Sequence, residues 1–221
     1  NNGCTLGTYL NKEVSQNLKE YSYQRGGTLF MGLLASLNAV LFRYTGQDDV
    51  IIGSPIAGRE HADLESQIGF YVNTLALRNK VRSEDNFDEL FSKVKHNTLT
   101  AYSHQMYPFD RLVEELNLQR DSSRSAVFDV MLVLQNNGEN IADLQLNEVE
   151  ADQILDQGSK TSKFDLLINT EEQGDCIFFS VEYNTDVYER EMIEGLIGHY
   201  KTLLSKLLSY PKQELGKIDY L

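Results

Sequence analysis

Apolar residues recur along this chain with two periods, and the two periods predict helices and strands in turn. A spacing of three and four residues predicts a helix over Lys12–Gln24, capped by Asn11, because an asparagine side chain satisfies free amides at a helix start. The next helix is predicted from Thr28 to about Tyr44, ending at Gly46. Its apolar residues spread beyond one stripe, so it is expected to be buried on more than one side.

Three further segments have the same helical period. The longest, Phe87–Tyr102, follows Asn86 as its expected cap and carries acidic residues in its first turn, where the helix dipole favours them. Pro108 is expected to separate it from a short helix over Phe109–Leu116, because proline cannot continue a helix. The last helix is expected over Met192–Leu208.

Strands are predicted from short runs rich in β-branched and aromatic residues that end at Gly, Pro or Asn. These runs alternate with the helices, which predicts an α/β fold with one mixed sheet and packed helices. The expected strands are residues 1–10 with a turn at Gly7, a short buried strand in Asp49–Gly58 that breaks into a Gly/Pro loop, a turn leading into a strand in Ile68–Arg78, Val127–Gln135, a weaker Leu144–Val149, Lys163–Asn169 and Cys176–Tyr183, the last two joined by a hairpin turn at EEQGD.

The strand Val127–Gln135 has two unlike faces, because strand side chains alternate. One face is wholly apolar and is the expected core face; it comprises Phe128, Val130, Leu132 and Leu134. The other face is apolar with a few polar groups, as ligand cavities are; it comprises Asp129, Met131, Val133 and Gln135. The alternative is that helices cover both faces.

The composition and net charge of the chain disfavour several classes of function. The 221 residues suffice for one sizeable domain, and 41% hydrophobic with 24% charged residues is ordinary for a soluble globular protein. The net charge of −13 disfavours nucleic acid, which needs clustered Lys and Arg, and anionic membrane surfaces. No apolar run approaches the ~20 residues of a membrane span, and no signal peptide opens the chain.

The two cysteines, Cys4 and Cys176, form neither a metal-ligand spacing nor a disulfide framework. No metal site is therefore expected, and the setting is interpreted as reducing and cytoplasmic.

Three segments, in order and at the right spacing, carry a resemblance to a known family. Ile68–Arg78, IGFYVNTLALR, resembles the fifth core motif of nonribosomal peptide synthetase condensation domains, IGxFVNTxxxR. His104–Asp110, HQMYPFD, is similar to the sixth motif, HQxxPFE, and Arg120–Arg124, RDSSR, to the seventh, RDxSRxP. The departures from the family pattern are Tyr71 for Phe, Asp110 for Glu, and Ser125-Ala126 for Asn-Pro.

Condensation domains carry HHxxxDG at the active site, in their N-terminal half. This sequence has no His-His pair, and its four histidines stand apart at His61, His96, His104 and His199. The resemblance is therefore to the C-terminal lobe alone, expected over residues 1–215, with residues 216–221 beginning a linker to a following adenylation domain. No catalytic residue is expected in this chain, which alone is predicted to be inactive.

The resemblance implies one lobe of the chloramphenicol-acetyltransferase-like (CoA-dependent acyltransferase) fold, in which two similar lobes enclose a substrate tunnel. It implies amide formation between a donor aminoacyl or peptidyl thioester and an acceptor amine, both on phosphopantetheine arms of carrier domains. The expected partners are the N-terminal lobe, the donor and acceptor carrier domains and the adjoining adenylation domain. No cofactor is expected to be covalently bound in this lobe.

The site residues that the resemblance implies come from the motifs and the strand after them. Those expected at the tunnel or lobe interface are Asn73, Arg78, Tyr107, Pro108, Phe109, Arg120, Arg124, Asp129, Met131, Val133 and Gln135. A channel-entrance loop is expected to contain Gly53, Pro55 and Arg59, the alternative being a plain strand-end turn.

Some of these residues have a second interpretation. Asn73 either positions a ligand or second domain or caps a neighbouring backbone, since a buried amide without partners costs roughly 1–3 kcal/mol. Arg78 either faces the other lobe or a pantetheine phosphate, or forms a surface salt bridge worth roughly 0–1 kcal/mol. RDSSR is either a functional arginine pair or a simple Asp/Ser turn. His104, beside a helix end, is interpreted as a hydrogen-bonded structural group.

Two other functions remain open from the sequence. One is a non-catalytic module that docks carrier proteins. The other is the lobe of a heterocyclisation or epimerisation domain; epimerisation lobes normally carry an NYLGQ-like motif where this chain has LQNNG. Residues upstream would separate them: HHxxxDG for condensation, DxxxxD for heterocyclisation, and a degraded pattern for a docking module.

Overall fold

A single mixed sheet of seven strands organises the chain. The computed structural model describes residues 2–57, 72–117, 125–135, 155–156 (backbone only) and 161–220. The strands are β1 Gly3–Leu10, β2 Asp49–Ile56, β3 Asn73–Lys80, β4 Val130–Gln135, β5 Leu155–Asp156, β6 Leu166–Gln173 and β7 Cys176–Asn184. Their order is β3-β2-β4-β6-β7-β1-β5. β4 pairs parallel with β2 and β6, and the other pairs are antiparallel, which confirms the predicted mixed sheet.

Five α-helices lie within the described residues. They are α1 Lys12–Gln24, α2 Leu29–Thr45, α3 Phe87–Ser103, α4 Phe109–Glu115 and α5 Arg190–Ser209, followed by a short 3-10 helix over Leu215–Lys217. These bounds match the sequence predictions within a few residues, because each helix has a local start or stop signal.

The predicted caps are present. The Asn11 side chain accepts a hydrogen bond from the Val14 amide at 2.8 Å, and α2 ends at Gly46, whose φ of 69° favours glycine. At α3, the Asn86 side chain accepts from the Glu89 amide while the Glu89 carboxylate accepts from the Asn86 amide, a complete capping box.

Three strand predictions were wrong in detail. No turn occurs at Gly7, because its backbone is paired between Ser180 of β7 and Leu155 of β5. β4 starts at Val130 rather than residue 127. β6 runs to Gln173, so the hairpin turn is only Gly174-Asp175, with Gly174 in the left-handed region at φ 60°.

The core lies on one face of the sheet, here called the first face. Paired residues on neighbouring strands share a face, so the register assigns each strand residue to one side. All strand residues in the main core cluster fall on the first face: Leu6, Leu10, Val50, Ile52, Leu75, Leu77, Leu132, Leu166, Ile168, Ile177, Phe179, Val181 and Tyr183.

Helix α2 is the centre of this core. Every residue from Met31 to Val40 is buried, and the helix contacts α1, α3, α5 and β2. The prediction that α2 is buried on more than one side is therefore confirmed. Tyr200 of α5 stacks on Phe179 of β7, with ring centroids 4.8 Å apart, and its hydroxyl is 2.9 Å from the Ser36 hydroxyl of α2. This tyrosine thus ties α2, α5 and the sheet together.

The segment predicted to begin a linker is packed against the same core. Ile218 and Tyr220 are 2% and 7% exposed. The Arg43 guanidinium lies 4.9 Å from the centre of the Tyr220 ring, and His199 meets that ring edge-on. The boundary at residue 216 itself stays a prediction.

Several predictions fall outside the described residues. They concern the weak strand Leu144–Val149, the segment 58–71 with Arg59 and the start of the fifth motif, and Arg120–Arg124. Within the described part, no single helix is long and apolar enough to cross a membrane; α1 and α2 reach that composition only as a pair bent by 107°.

Alkaline pH is expected to destabilise the fold through Tyr200. Burial raises the pKa of its hydroxyl to about 12, above the ordinary 10.0. The folded state therefore holds this proton more tightly than the unfolded state does. The contribution of Tyr200 to the free energy of unfolding is complete below pH 10 and is lost as pH rises to 12. Between those limits Tyr200 contributes a loss of about 1.4 kcal/mol per pH unit to the unfolding free energy.

Urea unfolding measured at pH 8 to 12 checks this, with Tyr200→Phe expected to flatten the decline. Tyr23→Phe removes a hydroxyl from an exposed ring and is the matched control. The same alkaline slope in Tyr200→Phe and in the unmodified chain would contradict the assignment.

Candidate functional site

The face of the sheet opposite the core, here called the second face, carries the predicted tunnel residues of β4. Met131 is paired with Gly53 of β2, and Val133 is paired with Asn169 of β6. These residues lie on the second face, because Met131 and Val133 alternate along β4 with Leu132, which belongs to the core. Met131 is buried but lies outside the core cluster, Val133 is half-buried, and Asp129 and Gln135 are exposed. The predicted alternation along β4 is thus confirmed, whereas the tunnel role of these residues stays a prediction.

Phe128 does not belong to the core face, contrary to the prediction. A Cβ added to Gly53 would lie 2.3 Å from the Phe128 ring, so this ring covers Gly53 on the second face. Regular alternation begins only at Val130, and it does not extend back to Phe128. Gly53 makes the contact possible because it has no side chain.

The Phe128 ring joins two other segments on this face. It lies 5.5 Å from the Phe109 ring, which starts α4, and 5.8 Å from the Phe164 ring, just before β6. Aromatic pairs at such distances add about 0.5–1.5 kcal/mol beyond burial. The sixth-motif segment is therefore held against the sheet by an aromatic cluster of Phe109, Phe128 and Phe164.

Asn73 holds the same segment by hydrogen bonds. Its side-chain NH₂ donates to the carbonyls of Gln105 and Tyr107, both at 2.8 Å, and its side-chain oxygen accepts from the Phe109 amide at 3.1 Å. Pro108 at the start of α4 provides no side-chain cap, so Asn73 supplies one from a distant strand. Asn73 thus caps a neighbouring backbone, the second of its two interpretations, and joins the fifth motif to the sixth.

The predicted residues Tyr107 and Pro108 lie in this bracketed loop, and both are exposed. A hydrogen bond to Glu115 raises the pKa of the Tyr107 hydroxyl. His104 closes α3 through its backbone, which donates to the Ala101 carbonyl and accepts from the Tyr107 amide. Within the described parts, the only histidine ring with a hydrogen bond is that of His199, to the Tyr44 hydroxyl.

Gly53 and Pro55 are strand residues, not the loop that was predicted. Gly53 pairs with Ala76 and Pro55 with Thr74 of β3, so β2 continues to Ile56. The pairing of β2 with β4 ends at Gly53, so Pro55 lies beyond it, where its missing amide hydrogen costs no bond to β4.

Arg78 lies at the edge of the sheet in an ion pair with Asp49. Its Nε and Nη2 donate to the two Asp49 carboxylate oxygens at 2.8 and 2.5 Å. This pairing raises the pKa of Arg78 and lowers that of Asp49. The Arg78 side chain is 63% exposed, so the pair is a surface salt bridge that solvent screens.

Sequence reasoning missed two features of this region. The first is the aromatic cluster, whose signal was Gly53 inside a strand, where a glycine marks close approach. The second is a groove beside β3, whose signal was the alternation of Arg78, Lys80 and Arg82 in an acidic chain. Among the described residues, no group of three His, Cys, Asp or Glu side chains could hold a metal ion.

Known proteins resemble the whole chain. It is 40% identical over 218 residues to tyrocidine synthase 3 of Brevibacillus parabrevis, covering 99% of this chain and 3% of that protein. It is also 40% identical over 212 residues to gramicidin S synthase 2 of Brevibacillus brevis, covering 95% of this chain and 5% of that protein. The chain therefore spans only a small part of the curated relatives that it matches.

Solved structures share the fold at lower identity. A four-domain nonribosomal peptide synthetase bound to AMP and glycine matches with a TM-score of 0.85 at 21% identity, covering 99% of this chain and 18% of that one. The X-domain from teicoplanin biosynthesis, in complex with OxyB, matches with a TM-score of 0.83 at 21% identity. The match covers 99% of this chain and 48% of that one. The first condensation domain of the calcium-dependent antibiotic synthetase matches with a TM-score of 0.77 at 20% identity. The match covers 98% of this chain and 48% of that one.

These structural matches establish a fold of the CoA-acyltransferase-like kind. A family model described as Condensation domain matches residues 3–221, nearly the entire chain. The chain belongs to the condensation-domain family.

Proposed function

We propose that this chain is the C-terminal lobe of a condensation domain that forms peptide bonds in nonribosomal peptide synthesis. One observation carries the proposal: the family match spans residues 3–221, yet the chain covers only 48% of a solved condensation domain. The HHxxxDG signature is absent from the sequence, which fits the half of the domain that lacks the catalytic histidines.

In this reaction the acceptor amine nitrogen attacks the carbonyl carbon of the donor thioester. A C–N bond forms and the C–S bond breaks, so the phosphopantetheine of the donor carrier departs as a thiolate. A base in the other lobe takes the amine proton, and the thiolate takes up a proton in turn to become the free thiol. This chain contributes by positioning, because holding two reactants in attack geometry lowers the barrier without a catalytic side chain.

The tunnel wall is assigned to the second face and the segment bracketed to it. Met131, Val133 and Gln135 supply a mostly apolar surface with a polar end, as a tunnel for varied aminoacyl groups requires. Asn73 and the aromatic cluster hold Tyr107 and Pro108 at its rim.

The proposed partners are the N-terminal lobe, donor and acceptor carrier domains and an adjoining adenylation domain, in a cytoplasmic synthetase. Phosphopantetheine arrives on the carrier domains, and no cofactor is bound covalently in this lobe. Arg78, Arg120 and Arg124 are assigned to the lobe interface or to carrier docking. Residues 1–215 are the lobe and 216–221 the start of the linker, whose first residues pack on the core.

A docking module is the second candidate. The X-domain that shares this fold is described in complex with OxyB, so the fold is compatible with a role in binding another protein. The two candidates differ in one respect: only a condensation lobe completes an active site when joined to an N-terminal lobe.

The chain alone is expected to form no dipeptide, because it contains no HHxxxDG motif. Purified chain is mixed with loaded donor and acceptor carrier domains, and dipeptide is sought by mass spectrometry. Addition of a separately made N-terminal lobe is expected to give binding, seen by sedimentation, and dipeptide formation. Turnover by the chain alone, or binding of the other lobe without any turnover, would count against the condensation proposal, and the second result would favour the docking module.

Val133→Trp in the intact synthetase is expected to leave folding nearly unchanged and to reduce turnover, because the indole fills the proposed tunnel. Leu132→Asp, one residue earlier, is expected to unfold the lobe, since it buries an unpaired charge. Val187→Trp makes the same change at an exposed position and is the matched control.

Thermal melts and turnover of the three variants separate the possibilities. If helices covered both faces of β4, Val133→Trp would overpack a core and cost typically about 1–3 kcal/mol. A melting temperature far below that of the control, or normal turnover in a well-folded variant, would show that Val133 does not line the tunnel.

A further inference from the structure

A basic groove lies beside β3, away from the bracketed loop. It is open and has a volume of about 740 Å³. Its lining combines two elements, the end of β3 with the residues after it and one side of α3. The lining residues are Arg78, Lys80, Arg82, Ser92, Lys93, His96 and Asn97, and none of them is acidic. Such a lining is unusual in a chain with a net charge of −13.

The cations of the groove differ in their availability. Arg78 is paired with Asp49, and Lys93 donates to the Asp85 carboxylate at 2.6 Å. Lys80 and Arg82 are exposed. Lys80 lies opposite Asp49 in the β2–β3 pair and shares that carboxylate with Arg78, whereas no ion pair of Arg82 is formed within the described part of the chain. The four Lys and Arg side chains of the groove thus face two carboxylates, Asp49 and Asp85, and the groove keeps a net positive charge.

The groove runs along an edge of the sheet. β3 is the terminal strand, with β2 on its other side. In an antiparallel pair, the N–H and C=O of one residue point the same way and alternate along the strand. The Val81 amide donates to Asp48 on the β2 side, whereas the Arg78 carbonyl accepts from the Asn97 side chain of α3. The backbone groups of Ala76, Arg78 and Lys80 thus point outward, where the described residues place no further strand.

We propose that this groove binds an extended acidic segment of a partner protein, which adds to β3 as a further strand. The outward N–H and C=O groups of Ala76 and Lys80 and the N–H of Arg78 would pair with its backbone, since the Arg78 carbonyl already accepts from Asn97, and the cations of the groove would pair with its carboxylates. A compact phosphate group would leave the outward backbone groups of β3 unpaired, whereas an extended segment pairs with them. The inference does not rest on the proposed reaction, since a docking module would use the groove equally.

Charged residues on an edge strand also serve to prevent aggregation. That explanation covers Arg78 and Lys80 but not Arg82 and Lys93, since Arg82 follows the end of β3 and Lys93 belongs to a helix. Cations on both walls of the groove favour a ligand between them.

The test uses the full 221-residue chain and a fluorescein-labelled peptide of alternating glutamate and valine, 8 residues long like β3. Binding is followed by fluorescence anisotropy at low and high salt. The double variant Lys80→Glu with Arg82→Glu is expected to weaken binding roughly tenfold or more, and high salt should weaken it further. Lys163→Glu with Lys206→Glu makes the same charge change at exposed positions away from the groove and should bind as the unmodified chain does.

A methylated peptide and a phosphate-bearing competitor test how the groove binds its ligand. The same peptide methylated at alternate backbone nitrogens keeps its charge but cannot pair as a strand, and it is expected to bind roughly tenfold more weakly or worse. Equal binding of both peptides would overturn strand addition. Displacement of the peptide by phosphopantetheine, at concentrations where free glutamate has no effect, would instead identify a phosphate site.

Circular dichroism confirms that each variant is folded. A Lys80→Glu, Arg82→Glu variant that aggregates while binding the peptide normally would show that the cations only protect the edge, and the proposal would be wrong. Equal loss of binding in the control pair would likewise overturn it, since net charge rather than the groove would then explain the affinity.

Discussion

Burial of α2 against the first face of the sheet is the constraint on which the rest of the structure depends. The helix is covered on several sides, so α1, α3, α5 and the sheet must each present an apolar surface to it. Tyr200 shows how closely these elements are coupled, since one side chain contacts α2 by a hydrogen bond and β7 by stacking. The core cluster takes its strand residues from the first face, so the second face can carry polar residues such as Asn169 and Gln135.

Segments distant in sequence are attached to the second face by a few long-range contacts. Asn73 replaces a missing helix cap thirty-six residues away in the chain, and the Phe128 ring occupies the space that Gly53 leaves open. Each contact depends on a specific side chain, or on the absence of one. The loop over Gln105–Phe109 is thereby fixed relative to β3 by both backbone hydrogen bonds and ring packing.

The difference between local and long-range determinants explains what the sequence could predict. Asn11, Thr28 and Asn86 act on amides three residues away, so the helix starts were predictable from short patterns. The position of Phe128 was not, because it depends on a glycine in another strand, which periodicity does not reveal. The family was predictable because its motifs are linear, whereas the groove beside β3 forms only when α3 packs next to that strand.

Under the proposed function, a lobe without a catalytic base contributes to the reaction only if its wall is rigid. Positioning supplies as much as about 7–11 kcal/mol of barrier lowering, but only when the reacting atoms are held in attack geometry. Surface ion pairs such as Arg78–Asp49 are too weak to provide that rigidity. The three hydrogen bonds of Asn73 and the packing of Phe128 are better suited, because both lie between the sheet and the loop that they hold. The described residues of the fifth and sixth motifs therefore act first as structure, and under the proposed function their effect on chemistry follows from the geometry that they fix.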